Sequence, residues 1–334
     1  MYGKIKSNNS TFHSYQHPDV IEYQETWYWK IYKLFALHSP KGNSVKVYSV
    51  YDGNDVLLIA PVKKSGRKKI ALFFGQNYTD VLYAEDKPTE LLRAAFLKFL
   101  QCLVDDDFDS LEWKYLESTS RSRRFLGEIF RDQPFSINKA VKIPLSIHES
   151  FSAYTASLSK NTRQNIRTAY NRLSRDGHAM KAGIFFRDEL RSDDARKIIT
   201  MCDDVYLARQ ASRYGYASIR NKIGKRFFHY ASQIPKVEEG FCSFITIDGE
   251  VAAFMYGYDN RRIMSAEIPR LAINDKFRFY SPGLLLVNET VKALMDKGYR
   301  YLDLTNGNEK YKFDMGGIEY TTESAIIDLT SLRA

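Results

Sequence analysis

Between Asp303 and Lys312 the chain gathers Asp303, Asn306, Glu309, Tyr311 and Lys312 around Gly307. Two carboxylates, an amide, a phenol and an amine can take up protons, give them and balance charge. A second stretch, Arg278-Phe-Tyr-Ser-Pro-Gly-Leu-Leu-Leu286, lies just upstream between a strand-like and a helix-like pattern. A helix that starts after a small-residue turn leaves its first N–H groups unpaired, and with the helix dipole they favour an anion. Ser281 is placed to cap, Pro282 loses no bond at the first helical position, and Gly283 would let a ligand approach the backbone. Lys276 and Arg278 add positive charge before the turn. The combination suits a pyrophosphate or a phosphopantetheine phosphate.

These stretches need a strand–helix–strand scaffold. "RRIMSAEIPRLAI" predicts a strand, "SPGLLLVNETVKALMDKG" a helix closed by Gly298, and "YRYLDLT" the next strand. Ligands of α/β sheets bind beyond the carboxyl ends of strands, where the Asp303–Lys312 cluster begins. Upstream, "FCSFIT-IDGE-VAAFMYGY" predicts a hairpin around Asp248-Gly249.

The first half has the same order: a hairpin around Asp52-Gly53, a strand "KKIALFF", a Pro-opened helix "PTELLRAAFLKFLQCL" and a strand "FDSLEWKYL". This reads as a weak repeat of a whole domain. Further elements are a helix over Tyr23–Leu37, a short helix in "STSRSRRFLGEIF" and a strand in "INKAVKIPL". Two helical stretches end at Gly177, a strand "HAMKAGIFFR" follows, and helical periodicity returns from Asp188 to Gln210 and from Ser218 to Ile234. The expected boundary lies near residues 147 and 148, and the expected class is α/β (α+β).

The 334 residues are 44% hydrophobic and 27% charged, enough for a core and a soluble surface. No apolar run reaches the length of a membrane span, and no signal peptide opens the sequence, so a cytoplasmic location is expected. Cys102, Cys202 and Cys242 form neither a disulfide framework nor a zinc pattern and are expected to be buried thiols. His13 and His17 have helical spacing but no third ligand, so no metal is expected. The net charge of +9 favours anionic partners: nucleotides, phosphorylated cofactors, acidic carrier proteins, RNA or anionic lipid.

"YSPGLLLVNETVKALMDKGYRYLDLTNGNEKYK" resembles the signature of the CelD/BcsL-like members of the GNAT acyltransferase superfamily, relatives of the FemABX peptidyltransferases. "SLSKNTRQNIRTAYNRLSRDG" resembles their Leu-Ser-Lys…Arg…Arg helix, and "FGQNYTDVLY" the "G…DY" strand of their N-terminal half. The resemblance spans about residues 20 to 330. It implies two tandem GNAT-like domains, each a mixed, mostly antiparallel sheet flanked by helices: 1–147 without a donor site and 148–334 with one. Glu85 and Asp86 near the matching turn of the first half would repel a phosphate. In such enzymes the turn holds the pyrophosphate of acyl-CoA. Here it departs from the Gln/Arg-x-x-Gly-x-Gly/Ala pattern by having one glycine, which leaves acyl-CoA, acyl carrier protein and aminoacyl-tRNA open as donors. Lys276, Arg278, Tyr280, Ser281, Gly283, Leu284 and Asn306 form the expected donor-binding set.

The resemblance implies direct transfer of an acyl group, acetyl being the expected one, from acetyl-CoA or another acyl-CoA to an amine or hydroxyl of a small molecule, sugar or glycan or lipid precursor. Glu309 is the first candidate base, Glu267 the second and Asp303 the third. Tyr311 could protonate the leaving group, and Lys312 could stabilise negative charge or form a salt bridge with Asp303 or Glu309. Such transfer can also run mainly by positioning. Arg163 and Arg167, four apart on one helix with Arg172, are candidates for phosphate or acceptor binding. Tyr214 and Tyr216, in a stretch mixing Arg, Lys and Tyr, could line the acceptor pocket or meet RNA. Alternatives are a FemABX-like tRNA-dependent aminoacyltransferase and a non-catalytic GNAT-like binding protein.

Overall fold

The computed structural model describes residues 6–9, 45–64, 70–73, 80–84, 86–214, 240–261 and 264–333. The sequence-predicted helices at Tyr23–Leu37 and Ser218–Ile234, and His13, His17, Glu85 and Tyr216, lie outside the described residues. By compactness the chain divides into Met1–Lys139 with Thr321–Ala334, and Ala140–Tyr320. The sequence placed the boundary at 147/148 and left the last residues in the second part; the final strand returns instead to the first unit.

In the first unit, Asp52 and Gly53 turn the chain between β2 (Val45–Asp52) and β3 (Asp55–Lys64), with Gly53 at φ +61°. Strand β1 (Lys6–Asn9) pairs with β2, and β5 (Leu82–Tyr83) and β4 (Ile70–Phe73) pair antiparallel with β3. A parallel partner needs a crossover, supplied by helix α1 (Thr89–Asp105) between β4 and β6 (Ser110–Glu117). On α1, Leu92, Phe96, Phe99 and Leu103 recur at helical spacing and bury against Trp113 and Phe125. Ser120 caps α2 (Arg121–Ile129) by accepting from the Arg123 N–H. The last strand, β13 (Ile318–Asp328), pairs antiparallel with β6 through Thr322 to Asp328.

The second unit follows the same pairing logic. Asp248 (φ +51°) and Gly249 (φ +83°) close the hairpin of β9 (Gly240–Ile247) and β10 (Glu250–Asn260). Strand β11 (Ser265–Ile273) pairs antiparallel with β10. A short 3-10 helix (Asp275–Tyr280) and α6 (Pro282–Asp296) then cross over to β12 (Tyr301–Asn306), parallel to β11. Residues Ala140 to Pro144 of β7 (Ser136–Pro144) close the order antiparallel to β12. Strand β8 (Met180–Phe186) lies outside β9. Helices α3 (Phe151–Ser157) and α4 (Lys160–Arg175) precede β8, α5 (Asp193–Tyr214) follows it, and α7 (Lys310–Asp314) follows β12. Leu285, Leu286, Val291 and Leu294 of α6 bury with Met255, Ala266, Ile268 and Leu302 on one face of this sheet.

All three cysteines are buried. The fold nonetheless brings two of them together: Cys202 on α5 hydrogen-bonds Cys242 on β9, and burial first, then this bond, holds the Cys202 thiol well above its ordinary value. Among the described residues no cluster of metal ligands forms, and no helix is long and apolar enough to cross a membrane.

Candidate active site

The parallel ladder between β11 and β12 holds three pairs, Ser265↔Tyr301, Ala266↔Leu302 and Glu267↔Asp303. It ends there, although β11 runs on to Ile273. The cause sits on β12. Thr305 has φ +55°, a left-handed conformation costly for a β-branched residue, and its N–H turns back to Asp303 Oδ1 at 2.7 Å. Its hydroxyl bonds the Ile268 carbonyl at 3.1 Å in place of a backbone donor. Pro269, which has no N–H to give, occupies β11 just where the partner strand departs.

Across this level runs a row of polar side chains. Tyr258 on β10 faces Glu267, Glu267 faces Asp303, and Asp303 faces Lys142 on β7. Register partners share a face, and neighbours in sequence alternate, so the row lies opposite Ala266, Ile268 and Leu302 and hence opposite α6. Tyr256, two residues before Tyr258, donates to Asp203 of α5 at 3.0 Å, so α5 covers the face that carries the row. Glu267 is 6% exposed and Asp303 8%. Asp303 is fully engaged, accepting from the Thr305 N–H and from the Tyr320 hydroxyl at 2.6 Å.

Lys312 is 3% exposed, an uncommon place for an ammonium. It donates to the carbonyls of Thr305 (3.2 Å), Asn306 (2.7 Å) and Gly307 (3.2 Å) and lies 3.0 Å from Glu309 Oε2. The lysine thus clamps the strained end of β12, including Gly307 at φ +98°. The salt-bridge alternative to Glu309 is present, and the ammonium has four oxygen partners around it. Burial pushes the Glu309 carboxyl up, but the hydrogen bond and charge of Lys312 outweigh it and leave it below its ordinary value. Tyr311, 38% exposed, has its phenol pushed up to about 12 by burial and by Glu309, against the opposing charge of Arg209.

The anion-binding turn is built differently from the expectation. Ser281 does occupy the N-cap position, but at φ +51° and ψ +48° its hydroxyl makes no capping bond, because capping needs an extended backbone there. Gly283 does not open the backbone to a ligand in the direction of a Cβ. That position is filled by Ile273, whose Cδ1 would lie 2.6 Å away, so the glycine lets α6 pack closely on β11. The Leu284 and Leu285 N–H groups both turn to the Ser281 carbonyl, at 3.0 and 3.3 Å. Lys276 is engaged by Glu250 at 2.6 Å on the hairpin side, while Arg278 is exposed. Tyr280 donates to Asp176 at 3.2 Å and meets His178 edge to face. Leu284 packs against the core.

Helix α4 contributes an arginine, though not the expected pair. Arg163 folds back onto the carbonyls of Ala156 (2.7 Å) and Leu158 (2.6 Å) and closes the end of α3, so it is engaged in structure. Arg167 is exposed and distinct from this contact. Arg172 reaches the turn: it donates to the Phe279 carbonyl at 2.9 Å and stacks on the Phe279 ring at 4.6 Å. Arg172 was legible as part of a cationic helix, but its approach to residue 279 depends on how α4 packs. Tyr214 ends α5. Arg209, five residues earlier, carried no signal beyond its position in a mixed Arg/Tyr stretch.

Residues 160–313 match the family model described as the acetyltransferase (GNAT) domain. Over that stretch, under half of the chain, the sequence is similar to a GNAT domain, and the fold as a whole is like that of solved GNAT-type structures. Solved structures resemble the fold across nearly the whole chain. A conserved protein of unknown function from Bacteroides thetaiotaomicron has TM-score 0.58 at 11% identity, covering 97% of this chain and 100% of that one. L-PGS from Bacillus licheniformis has TM-score 0.56 at 11% identity, covering 94% and 92%. A tandem GNAT protein from the clavulanic acid biosynthesis pathway has TM-score 0.51 at 10% identity, covering 98% and 99%. At these identities the likeness is one of fold. No curated protein matches the chain.

Proposed function

We propose that the protein transfers an acyl group, acetyl in the simplest case, from acyl-CoA directly to an amine or hydroxyl of a small-molecule, sugar or glycan-precursor acceptor. The observation that carries this reading is the parting of β11 and β12 after Glu267 and Asp303. Among the described residues it leaves one edge of β11 from Pro269 onward without a paired strand, where an extended thioester arm can take backbone hydrogen bonds.

The residues at the turn fit a diphosphate in part. Arg172 and Arg278 supply charge and the start of α6 supplies its dipole, while two N–H groups of the first turn already serve Ser281. The thioester would bring an activated carbonyl and a leaving thiol; the chain's task is to orient the nucleophile and move protons. Glu267 is the base we favour: it lies buried at the last paired position of β11, where the two strands part, and Glu309 is weakened as a base by Lys312. Tyr311 keeps its proton at neutral pH and suits donation to the departing thiolate. Lys312 acts as a clamp on residues 305–307.

Thermal unfolding with acetyl-CoA, longer acyl-CoAs and aminoacyl-tRNA, each added separately, tests this reading. A ligand at 100 times its Kd adds about 2.7 kcal/mol, read as a shift of a few degrees. A shift with acyl-CoA that disappears in an Arg172→Glu, Arg278→Glu double variant supports the donor site. A shift only with charged tRNA moves the protein to aminoacyl transfer, and no shift with either counts against both enzyme readings.

A further inference from the structure

Helix α5 packs its Ala195, Cys202 and Tyr206 inward, all buried and spaced by three, four or seven residues. The next position of this stripe is Arg209. A stripe that has been apolar or aromatic for three turns thus ends in a permanently charged side chain, half-buried rather than exposed. Other arginines of this unit that leave full exposure or reach across the surface have partners. Arg163 has two carbonyls, Arg172 the Phe279 ring and carbonyl, Arg175 Asp176, and Arg261 Asp259. Arg209 has no hydrogen bond or ion pair among the described residues. Helix α5 covers the face that carries the β11–β12 row, and the Arg209 charge is the smallest of the three influences on the Tyr311 phenol.

A guanidinium drawn partly from water is stabilised by an anionic partner, and among the described residues Arg209 has none, whereas a fold that needed only packing would use an aliphatic side chain there. The five fixed donors of arginine match a carboxylate or a phosphate. We infer that Arg209 is an acceptor-binding residue and that the acceptor carries an anionic group, carboxylate or phosphate, which docks beside Tyr311. This deepens the acyltransferase reading above and rests on its placement of the acceptor on the α5 face. An anion at Arg209 would fix the acceptor by one end and leave its amine or hydroxyl to be oriented toward Glu267.

The test has two stages. Coenzyme A is first added to saturation, and its own thermal shift is recorded. Inorganic phosphate and, separately, malonate are then titrated onto the coenzyme-bound protein, the wild type beside Arg209→Gln and Arg209→Lys. The expected result is a stabilising shift with one of the two anions. Its apparent affinity should fall about tenfold or more in Arg209→Gln and be partly restored in Arg209→Lys. Response to phosphate alone marks a phosphorylated acceptor, and response to malonate alone a carboxylate acceptor. Arg209→Gln without ligand should be at least as stable as the wild type, since it removes a half-buried charge and breaks no hydrogen bond or ion pair among the described residues. The inference is overturned if neither anion shifts the protein, or if Arg209→Gln responds like the wild type. A missing coenzyme shift instead counts against the acyl-CoA reading, and the Arg209-dependent anion response is still read on its own.

Discussion

The ammonium of Lys312 lies 3.0 Å from Glu309, yet its other contacts, three carbonyls at the end of β12, are the ones that define its position. The pair is unequal: Lys312 is buried and the Glu309 side chain is 59% exposed. Lys312→Met should therefore cost about 2–4 kcal/mol, because it strands the carbonyls of Thr305, Asn306 and Gly307. Glu309→Gln should cost less than about 1 kcal/mol. Urea unfolding of both variants measures this, and equal stability of Lys312→Met and wild type would remove the clamp.

Glu309 also sets a pH dependence. Its folded carboxyl lies below the ordinary value, so its contribution is complete above the unfolded pKa and is lost as pH falls through the folded one. The difference in stability between wild type and Glu309→Gln should be largest at neutral pH and vanish in acid. Chemical denaturation at stepped pH reads it, and its small size follows from the exposure of the carboxylate.

Asp80 behaves in the opposite sense. Burial raises its carboxyl to about 6, against the pull of hydrogen bonds from Ser122 and the Val81 N–H. A raised carboxyl binds its proton more tightly folded than unfolded, so this group's contribution is greatest in acid and declines as pH rises from near 4 to 6. Asp80→Asn should flatten that slope, by at most about 3 kcal/mol across the window. An unchanged slope would show that the carboxylate is solvated in the folded protein.

Gly283 and Ile273 make a steric prediction. Gly283→Ala puts a methyl against Ile273 Cδ1 and should cost about 1–2 kcal/mol despite alanine's better helix propensity. Ile273→Val removes that Cδ1, so the double variant should recover most of the loss. A double-mutant cycle by thermal unfolding gives the coupling, and additivity of the two changes would mean the contact is not made.

The proposed chemistry separates two residues. Glu267→Gln should lower kcat about 100-fold or more with coenzyme binding unchanged, as expected for a base. Tyr311→Phe should lower kcat with little effect on stability, since the phenol is partly exposed. Steady-state kinetics with parallel coenzyme titrations distinguish these losses from failure to bind.

The local sequence determined most elements of this protein. Asp-Gly pairs made both hairpins, Pro88 and Ser120 marked helix starts, and Gly177 and Gly298 marked ends. The resemblance to GNAT domains was also legible, because its most specific part is a continuous run from the start of α6 through Lys312, inside the matched residues 160–313. Strand β13 was missed: "IEYTTESAIID" carries charges through its length, and only pairing with β6 makes it a strand. Tertiary structure alone decided which strand returns to the first unit, and that Arg163 closes a helix end while Arg172 reaches the turn. It also decided that Gly283 serves packing, that Cys202 meets Cys242, and that Arg209 is half-buried with no hydrogen bond or ion pair among the described residues. The physical reason is range. Turn conformations and caps are fixed by the few residues that form them, whereas the partner of a charge or of a missing Cβ is chosen by elements that meet only after the chain has folded.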